Sequence, residues 1–259
     1  MYDKPEEVRE LIRQGKLVRP TPGLAPGYNQ ANLVVLPREY AFDFFLFCQR
    51  NPKPCPILEV LEPGKYEPAL TAPKADIRTD VAKYRVYRDG NLVSEEADIT
   101  NYWNGEMVSF LLGCSLTFET ALMRAGISLR HIVEGKNITM YNTNIPTVPA
   151  GFFSGPLVVT MRPIPEAKMV KAIQITSRFP QSHGAPVHIG EPEKIGITDL
   201  SKPDYGDAVE IKNDEVPVFW ACGVTPQAAA LKSKPSLMIT HSPGYMFITD
   251  LLEDDLAVL

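Results

Sequence analysis

The fold is decided by the stretch Val218-Phe219-Trp220-Ala221-Cys222-Gly223-Val224-Thr225-Pro226. Its first four residues are apolar and predict a buried β-strand. Thr225 can cap a helix and Pro226 suits the first helical position, so the strand is predicted to pass directly into a helix. Residues 157–161 predict a second apolar strand, followed by a helix over about 166–176. Continuous apolar strands separated by helices favour an α/β fold with a mixed or parallel sheet covered by helices.

The segment 57–104 differs from its flanks. Residues 84–93 have the pattern of a β-hairpin, because Asp89-Gly90 readily supplies the positive φ angles of a tight primed turn. We therefore expect a smaller, hairpin-containing subdomain at 57–104. It is inserted into a main α/β domain made of residues 1–56 and 105–259.

The remaining elements follow from apolar periodicity and from breaker residues. Helical spacing is predicted in four segments: 3–15, 37–50, 107–112 and 118–124. Short apolar runs predict further strands at 33–36, 187–189, 209–211 and 237–240. The Pro- and Gly-rich stretch 20–28 predicts a loop.

Composition narrows the class of protein. The net charge of −5 and the scarcity of basic runs exclude nucleic acid as an expected partner. No stretch approaches the roughly 20 apolar residues of a membrane helix, and the N-terminus is polar and acidic. We therefore expect a cytoplasmic protein without a membrane partner. The four cysteines have neither zinc-site spacing nor the pattern of a disulfide scaffold.

The first candidate for chemistry is the segment Leu112-Gly113-Cys114-Ser115-Leu116-Thr117-Phe118-Glu119. A break after Gly113 would place Cys114 and Ser115 at a helix N-terminus. Free N–H groups there favour an anion, either a bound carboxylate or a cysteine thiolate. Glu119 could serve as a general base. The alternative is a kinked helix with a buried, unreactive cysteine.

Two further candidates follow predicted strands. Cys222, Gly223 and Thr225 come after the strand at 218–221, where ligands of α/β sheets commonly bind. An ordinary strand–helix connection would use the same residues. His241 ends another apparent strand and could transfer a proton near neutral pH or hydrogen-bond a substrate oxygen. The alternative is a loop histidine held by the backbone.

Two arginines and two histidines have weaker signals. Arg162 and Arg178 suit carboxylate clamps, although a surface ion pair is the more frequent role of an arginine. His183 and His188 are five residues apart in a Gly- and Pro-containing loop and could converge on a metal ion. No H-E-x-x-H or carboxylate-flanked pattern accompanies them, so no metal is expected.

A polar cluster precedes the strand at 157–161. Tyr141, Thr143 and Asn144 could orient a small polar substrate through neutral hydrogen bonds, or could simply form turns. Neither a phosphate-binding loop nor a dinucleotide-binding glycine motif is present, and no cofactor is expected.

Taken in order, these segments resemble a family of hydro-lyases related to D-glutamate cyclase. The resemblance covers nearly the whole chain. It rests on Pro22-Gly23-Leu24-Ala25-Pro26-Gly27-Tyr28-x-Gln30-Ala31-Asn32, Gly113-Cys114-Ser115-x-x-x-Glu119, Tyr141-x-Thr143-Asn144-Ile145-Pro146, Ser177-Arg178-Phe179-Pro180, His183-Gly184-Ala185-Pro186-Val187-His188 and Phe219-Trp220-Ala221-Cys222-Gly223-Val224-Thr225-Pro226-Gln227.

The resemblance implies a two-part α/β fold with an inserted α+β region and lyase chemistry that removes water. In D-glutamate cyclase the amine of glutamate closes onto the side-chain carboxyl group to give 5-oxoproline. We assign Glu119, His241 and Cys114 to catalysis. Substrate binding is assigned to Ser115, Tyr141, Thr143, Asn144, Arg162, Arg178, Cys222, Gly223 and Thr225.

The expected function is therefore a hydro-lyase for a small carboxylate or amino acid, with D-glutamate as the first candidate. A non-catalytic carboxylate-binding or assembly protein is the alternative, and a metal-dependent hydrolase using His183 and His188 is the third. The expected partner is a small-molecule carboxylate. A homo-oligomer is plausible on base rates alone.

Overall fold

The computed structural model of the protein describes residues 3–258, so the outermost bounds predicted for the main domain, 1 and 259, lie outside the described residues. Within this range the strands are β1 Tyr28–Pro37, β2 Ile57–Leu61, β3 Tyr84–Arg88, β4 Asn91–Glu96, β5 Met107–Leu112, β6 Thr139–Pro146, β7 Pro156–Pro165, β8 His188–Ile189, β9 Glu215–Ala221, β10 Met238–His241 and β11 Phe247–Leu252. The α-helices are α1 Pro5–Arg13, α2 Arg38–Arg50, α3 Glu119–Arg124, α4 Arg130–Val133, α5 Met169–Ser177 and α6 Val224–Ser233.

The strands form two antiparallel sheets. Six strands of the seven-stranded sheet follow the order β2-β5-β1-β10-β3-β4, and β11 also pairs with β1. The second sheet has the order β6-β7-β9-β8. The mixed α/β class is confirmed. The expected parallel sheet is wrong, since every strand pair within residues 3–258 is antiparallel, and the few helices do not bear out the expected helical cover.

The strands are continuously apolar for a reason other than parallel pairing. Alternate residues of β1 belong to two separate cores: Leu33 and Val35 pack in one, and Val34 and Leu36 in the other. The seven-stranded sheet is therefore buried on both faces, and an antiparallel strand buried on both faces is as continuously apolar as a parallel one.

The second sheet is also buried on both faces. Trp220 of β9 packs with Phe118 and Phe179, whereas Phe219 packs with Tyr141 and Met161. The predicted strand at 218–221 is confirmed as the end of β9, and α6 follows it after two residues. This connection brings Cys222 and Gly223 to the end of the second sheet.

Strand β1 has two partners along one edge. Gln30 and Ala31 pair with β11, whereas Val34 and Val35 pair with β10. Between these two ladders the backbone N–H of Leu33 donates to a side chain, Nδ1 of His241, at 3.1 Å. The ladder along this side of β1 is thus interrupted at Asn32 and Leu33, beside the cavity described below.

Two predicted elements are wrong. Residues 107–112 form β5 between β1 and β2, and not a helix. All six residues are buried, and a short, uniformly apolar run has no periodicity that distinguishes a strand from a buried helix. Residues 209–211 are not part of a strand.

The hairpin at 84–93 is confirmed as β3 and β4, with positive φ at Asp89 and Gly90. Strands β2, β3 and β4 belong to the seven-stranded sheet. The division into a main domain and a 57–104 subdomain stays a prediction. None of the helices described within 3–258 combines the length and apolar character needed to cross a membrane.

Candidate functional site

A cavity of about 580 Å³ is lined by residues from both sheets and from the loop that precedes β1. Six of the predicted site residues line it: Cys114, Ser115, Glu119, Cys222, Gly223 and His241. Strands β5 and β10 both run antiparallel to β1, so their C-terminal ends lie at the same end of the sheet. The sheet topology therefore brings together the segments after β5 and at the end of β10.

Glu119 is the first residue of α3 and is held by Arg162 of β7. The guanidinium donates to Oε1 of Glu119 from Nε at 3.0 Å and from Nη2 at 2.5 Å. It also donates to Thr160 Oγ1 and to Ser115 Oγ, both at 3.1 Å. Arg162 is completely buried and does not line the cavity. Arg178, the other predicted clamp, is exposed and donates to a backbone carbonyl of the C-terminal segment.

The charge of Glu119 is fixed by these neighbours. Burial by itself would raise the pKa of the carboxyl, but Arg162 and His131 outweigh burial and hold the pKa below its ordinary value. His131 Nε2 lies 3.2 Å from Glu119 Oε1, although the two atoms are not aligned for a hydrogen bond. Glu119 is therefore a carboxylate at neutral pH.

His241 is the last residue of β10 and is almost completely buried. Burial lowers its pKa to about 4, so the ring is neutral at pH 7. Because Nδ1 accepts the N–H of Leu33, the single ring proton lies on Nε2. His241 can donate a hydrogen bond, but it does not titrate near neutral pH.

The two thiols of the cavity are protonated. Burial raises the pKa of Cys114 to about 11 and that of Cys222 to about 12. A thiol with such a pKa is a poor nucleophile at pH 7. The thiolate alternative for Cys114 therefore has no electrostatic support, and Cys114 remains a small apolar part of the cavity wall.

Gly223 lies against the side chain of Asn32. A Cβ atom at Gly223 would be 2.2 Å from Nδ2 of Asn32, which itself donates to the carbonyl of Gly113 at 2.8 Å. Asn32 thereby ties together the loops that follow β5 and β9. Thr225 is the second residue of α6 and lies outside the cavity lining, and its hydroxyl bonds with the backbone N–H and carbonyl of Val158.

The predicted polar cluster on β6 lies outside the cavity lining. The hydroxyl of Tyr141 donates to the carbonyl of Leu200 at 2.6 Å, and that of Thr143 donates to the carbonyl of Leu157 at 2.7 Å. Asn144 is exposed. The hydroxyl protons of Tyr141 and Thr143 are therefore engaged within the fold, and the structure does not bring these residues together with the six that line the cavity.

The two candidate metal histidines are bound to different carbonyls. Nδ1 of His183 is 2.8 Å from the carbonyl of Lys53, and Nε2 of His188 is 2.9 Å from that of Glu191. Over residues 3–258, no group of three or more His, Cys, Asp or Glu side chains is arranged to hold a metal ion.

Several polar residues of the cavity lining were not selected from the sequence, and three of them bear on its chemistry. Gln30 and His131 both line the cavity, and each also has a buried side-chain atom, Oε1 of Gln30 and Nε2 of His131, without a hydrogen-bond partner in the part of the chain that the structure describes. Gln30 had a signal, since it is polar within an otherwise apolar strand. No pattern marked His131. The third is Glu253, whose pKa burial raises to about 7.

Known proteins resemble this chain over most of its length. The family model described as D-glutamate cyclase matches residues 108–250. A Bacillus licheniformis protein is 62% identical over 256 residues, covering 99% of this chain and 98% of that protein. A Bacillus subtilis protein is 61% identical over 255 residues, covering 98% and 99%. Both relatives carry the name "Putative hydro-lyase".

Among solved structures, this chain is similar to a nitrogen repressor-like protein of Methanococcus jannaschii. The alignment covers 93% of this chain and 96% of that protein. The TM-score is 0.39 and the sequence identity is 9%. The family match spans more than half of the chain and includes all six predicted residues that line the cavity. The chain belongs to the D-glutamate cyclase family.

Proposed function

We propose that the protein is a hydro-lyase for a small carboxylate or amino acid, with closure of D-glutamate to 5-oxo-D-proline as the first reaction to test. One observation carries the proposal. The contacts of Arg162 and His131 with Glu119 all converge on Oε1. Within residues 3–258 no hydrogen bond is directed to Oε2, so an ionised carboxylate oxygen remains available at the wall of the cavity.

The proposed reaction forms a C–N bond between the amine and the side-chain carboxyl carbon and breaks one C–O bond. The substrate ammonium must lose protons, and the departing oxygen must gain them. A catalyst for this step needs a group that binds the ammonium and a donor that stabilises the charge developing on the carboxyl oxygen.

Glu119 and His241 suit these two requirements. The free oxygen of Glu119 can bind the substrate ammonium and accept its proton, and Nε2–H of His241 can donate to the carboxyl oxygen. Arg162 orients Glu119 and keeps it ionised, so its proposed role is positioning and no longer a clamp on the substrate.

The test is incubation of the purified protein with small acids, D- and L-glutamate included, followed by mass spectrometry for loss of water. We expect 5-oxoproline from one enantiomer, and its loss in Glu119→Gln. Glu215→Gln is the control, because Glu215 also pairs with an arginine, Arg130 at 2.5 Å, in a partly buried position, but does not line the cavity. Circular dichroism establishes that both variants are folded.

Two results would contradict the proposal. Unchanged turnover in folded Glu119→Gln would remove the role of Glu119. Saturable binding of the acids without any loss of water would instead favour a carboxylate-binding protein. No observation at His183 and His188 favours a metal-dependent hydrolase.

A further inference from the structure

The cavity contains a second carboxyl group, Glu253, that the proposed roles do not use. Glu253 directly follows β11, and its backbone N–H donates to the carbonyl of Gly27 at 2.9 Å. This bond fixes the residue against the loop that precedes β1. Its side chain lines the same cavity as Glu119, and the residue is only 8% exposed.

The surroundings of Glu253 differ from those of Glu119 in one respect: a counterion is lacking. The hydroxyl of Thr120 donates to Oε1 at 3.3 Å, and no ion pair to Glu253 is formed by any residue from 3 to 258. The charged groups facing it are Glu119 and Arg124 of α3 and its neighbour Asp254. Arg124 is exposed and pairs with Asp254 at 3.5 Å.

These surroundings decide the charge of the group. Burial, with smaller effects of Asp254 and Glu119, outweighs the hydrogen bond from Thr120 and the charge of Arg124, so the pKa rises to about 7. Glu119 is ionised, whereas Glu253 can be a neutral carboxylic acid near pH 7. Two carboxyl groups whose environments separate their pKa values in this way are suited to opposite acid and base roles.

We propose that Glu253 is the proton donor of this cavity, which protonates the substrate oxygen that leaves as water. The inference rests on the proposed function. The neutral acid gives its proton to the departing oxygen as the C–O bond breaks, and the resulting carboxylate takes a proton that the substrate ammonium has released. The ammonium loses two protons and the oxygen gains two, so the cycle closes without an external acid. Thr120 orients the carboxyl group.

The kinetic test compares the wild-type protein with Glu253→Gln, Glu253→Asp and the control Asp255→Asn, which changes an exposed carboxylate two residues away. We expect kcat to fall at least about 100-fold in Glu253→Gln, the scale of a lost general acid. KM should change little. In the wild-type protein kcat should decline above pH 7 as Glu253 loses its proton. This decline should be absent from the residual activity of Glu253→Gln. Partial activity in Glu253→Asp and an unchanged pH profile in Asp255→Asn are also expected.

A second readout does not depend on turnover. Infrared difference spectra between pH 5 and pH 9 should contain a carboxylic acid band that titrates near pH 7 and is missing in Glu253→Gln. A band that titrates below pH 5, or a Glu253→Gln variant with wild-type kcat and pH profile, would overturn the proposal and leave the hydro-lyase function standing. A wild-type protein that removes water from none of the acids would instead contradict the function itself.

Discussion

Arg162 directs both Nε and Nη2 to the same oxygen of Glu119, at 3.0 and 2.5 Å, and both residues are at most 4% exposed. The protein therefore shields the ion pair from water, and the second carboxylate oxygen of Glu119 remains available to a ligand. A buried pair of this kind is costly to break, because the remaining partner is left as an uncompensated charge.

Replacing Arg162 by Met should destabilise the protein by ~3–5 kcal/mol, because Glu119 would be left buried without its counterion. Urea unfolding followed by circular dichroism measures this cost. Arg85→Met, which removes an ion pair whose two side chains are each about one third exposed, should cost under ~1 kcal/mol. The double variant Arg162→Met/Glu119→Gln should recover part of the loss. A cost below about 1 kcal/mol for Arg162→Met would contradict the argument.

Replacing Gly223 by Ala should reduce turnover strongly and cost ~1–3 kcal/mol, the range for overpacking. The new Cβ would lie 2.2 Å from Nδ2 of Asn32 and would displace the side chain that ties Gly113 to this loop. Gly105→Ala is the control, since a Cβ there meets nothing within 4 Å. Activity and thermal unfolding should separate the two variants, and similar values for both would refute the proposed role of Asn32.

Stability should fall as the pH is lowered from about 6.5 to about 4. Burial lowers the pKa of His241 and of His183 to about 4, against about 6.5 in an unfolded chain. Between these values the unfolded state binds more protons, so acid favours unfolding by up to ~3 kcal/mol per ring. His241→Asn retains an acceptor for the Leu33 N–H but does not titrate. Its unfolding free energy should therefore decline less steeply over this range, and an unchanged slope would contradict the assignment.

Cys114 should react slowly with iodoacetamide at pH 7.5 while the protein is folded, because burial raises its pKa to about 11. Peptide mass spectrometry of native and urea-unfolded protein measures the difference. Cys114→Ser should retain most of the turnover. Rapid native alkylation with loss of activity would restore Cys114 as a nucleophile.

Six of the twelve residues assigned to the site from the sequence line the cavity, whereas the direction of the strands was predicted wrongly. Gly223 and His241 were selected because they follow or end predicted strands, and Cys114 and Glu119 because a break after Gly113 suggested a helix N-terminus. Strand direction could not be found in the same way. A strand buried on both faces is apolar throughout, whichever way its neighbours run, and residues 107–112 were mistaken for a helix for the same reason.

The chemical type of a residue was a poor guide to whether it lines the cavity. Tyr141 and Thr143 are suited to binding a polar substrate, but each bonds to a backbone carbonyl of the fold. Arg162 was selected as a clamp for a substrate carboxylate, but it contacts Glu119 and does not line the cavity. Glu253 had no signal at all, because its significance lies in the absence of a counterion among residues 3–258, and only the folded arrangement determines which charges surround a carboxyl group.

The interrupted ladder along β1 has a consequence for motion. The backbone N–H of Leu33 donates to His241 at the point where β1 changes partner from β11 to β10. The part of the cavity wall formed here by Asn32 and His241, its floor, therefore belongs to central strands of the seven-stranded sheet. Local opening of that floor would require separation of strands at the middle of the seven-stranded sheet. Its amide hydrogens should therefore exchange with solvent only on the timescale of global unfolding, whereas those of the loop 20–26 should exchange through local fluctuations. Substrate entry would then be accommodated by the loop, against a floor that stays in place.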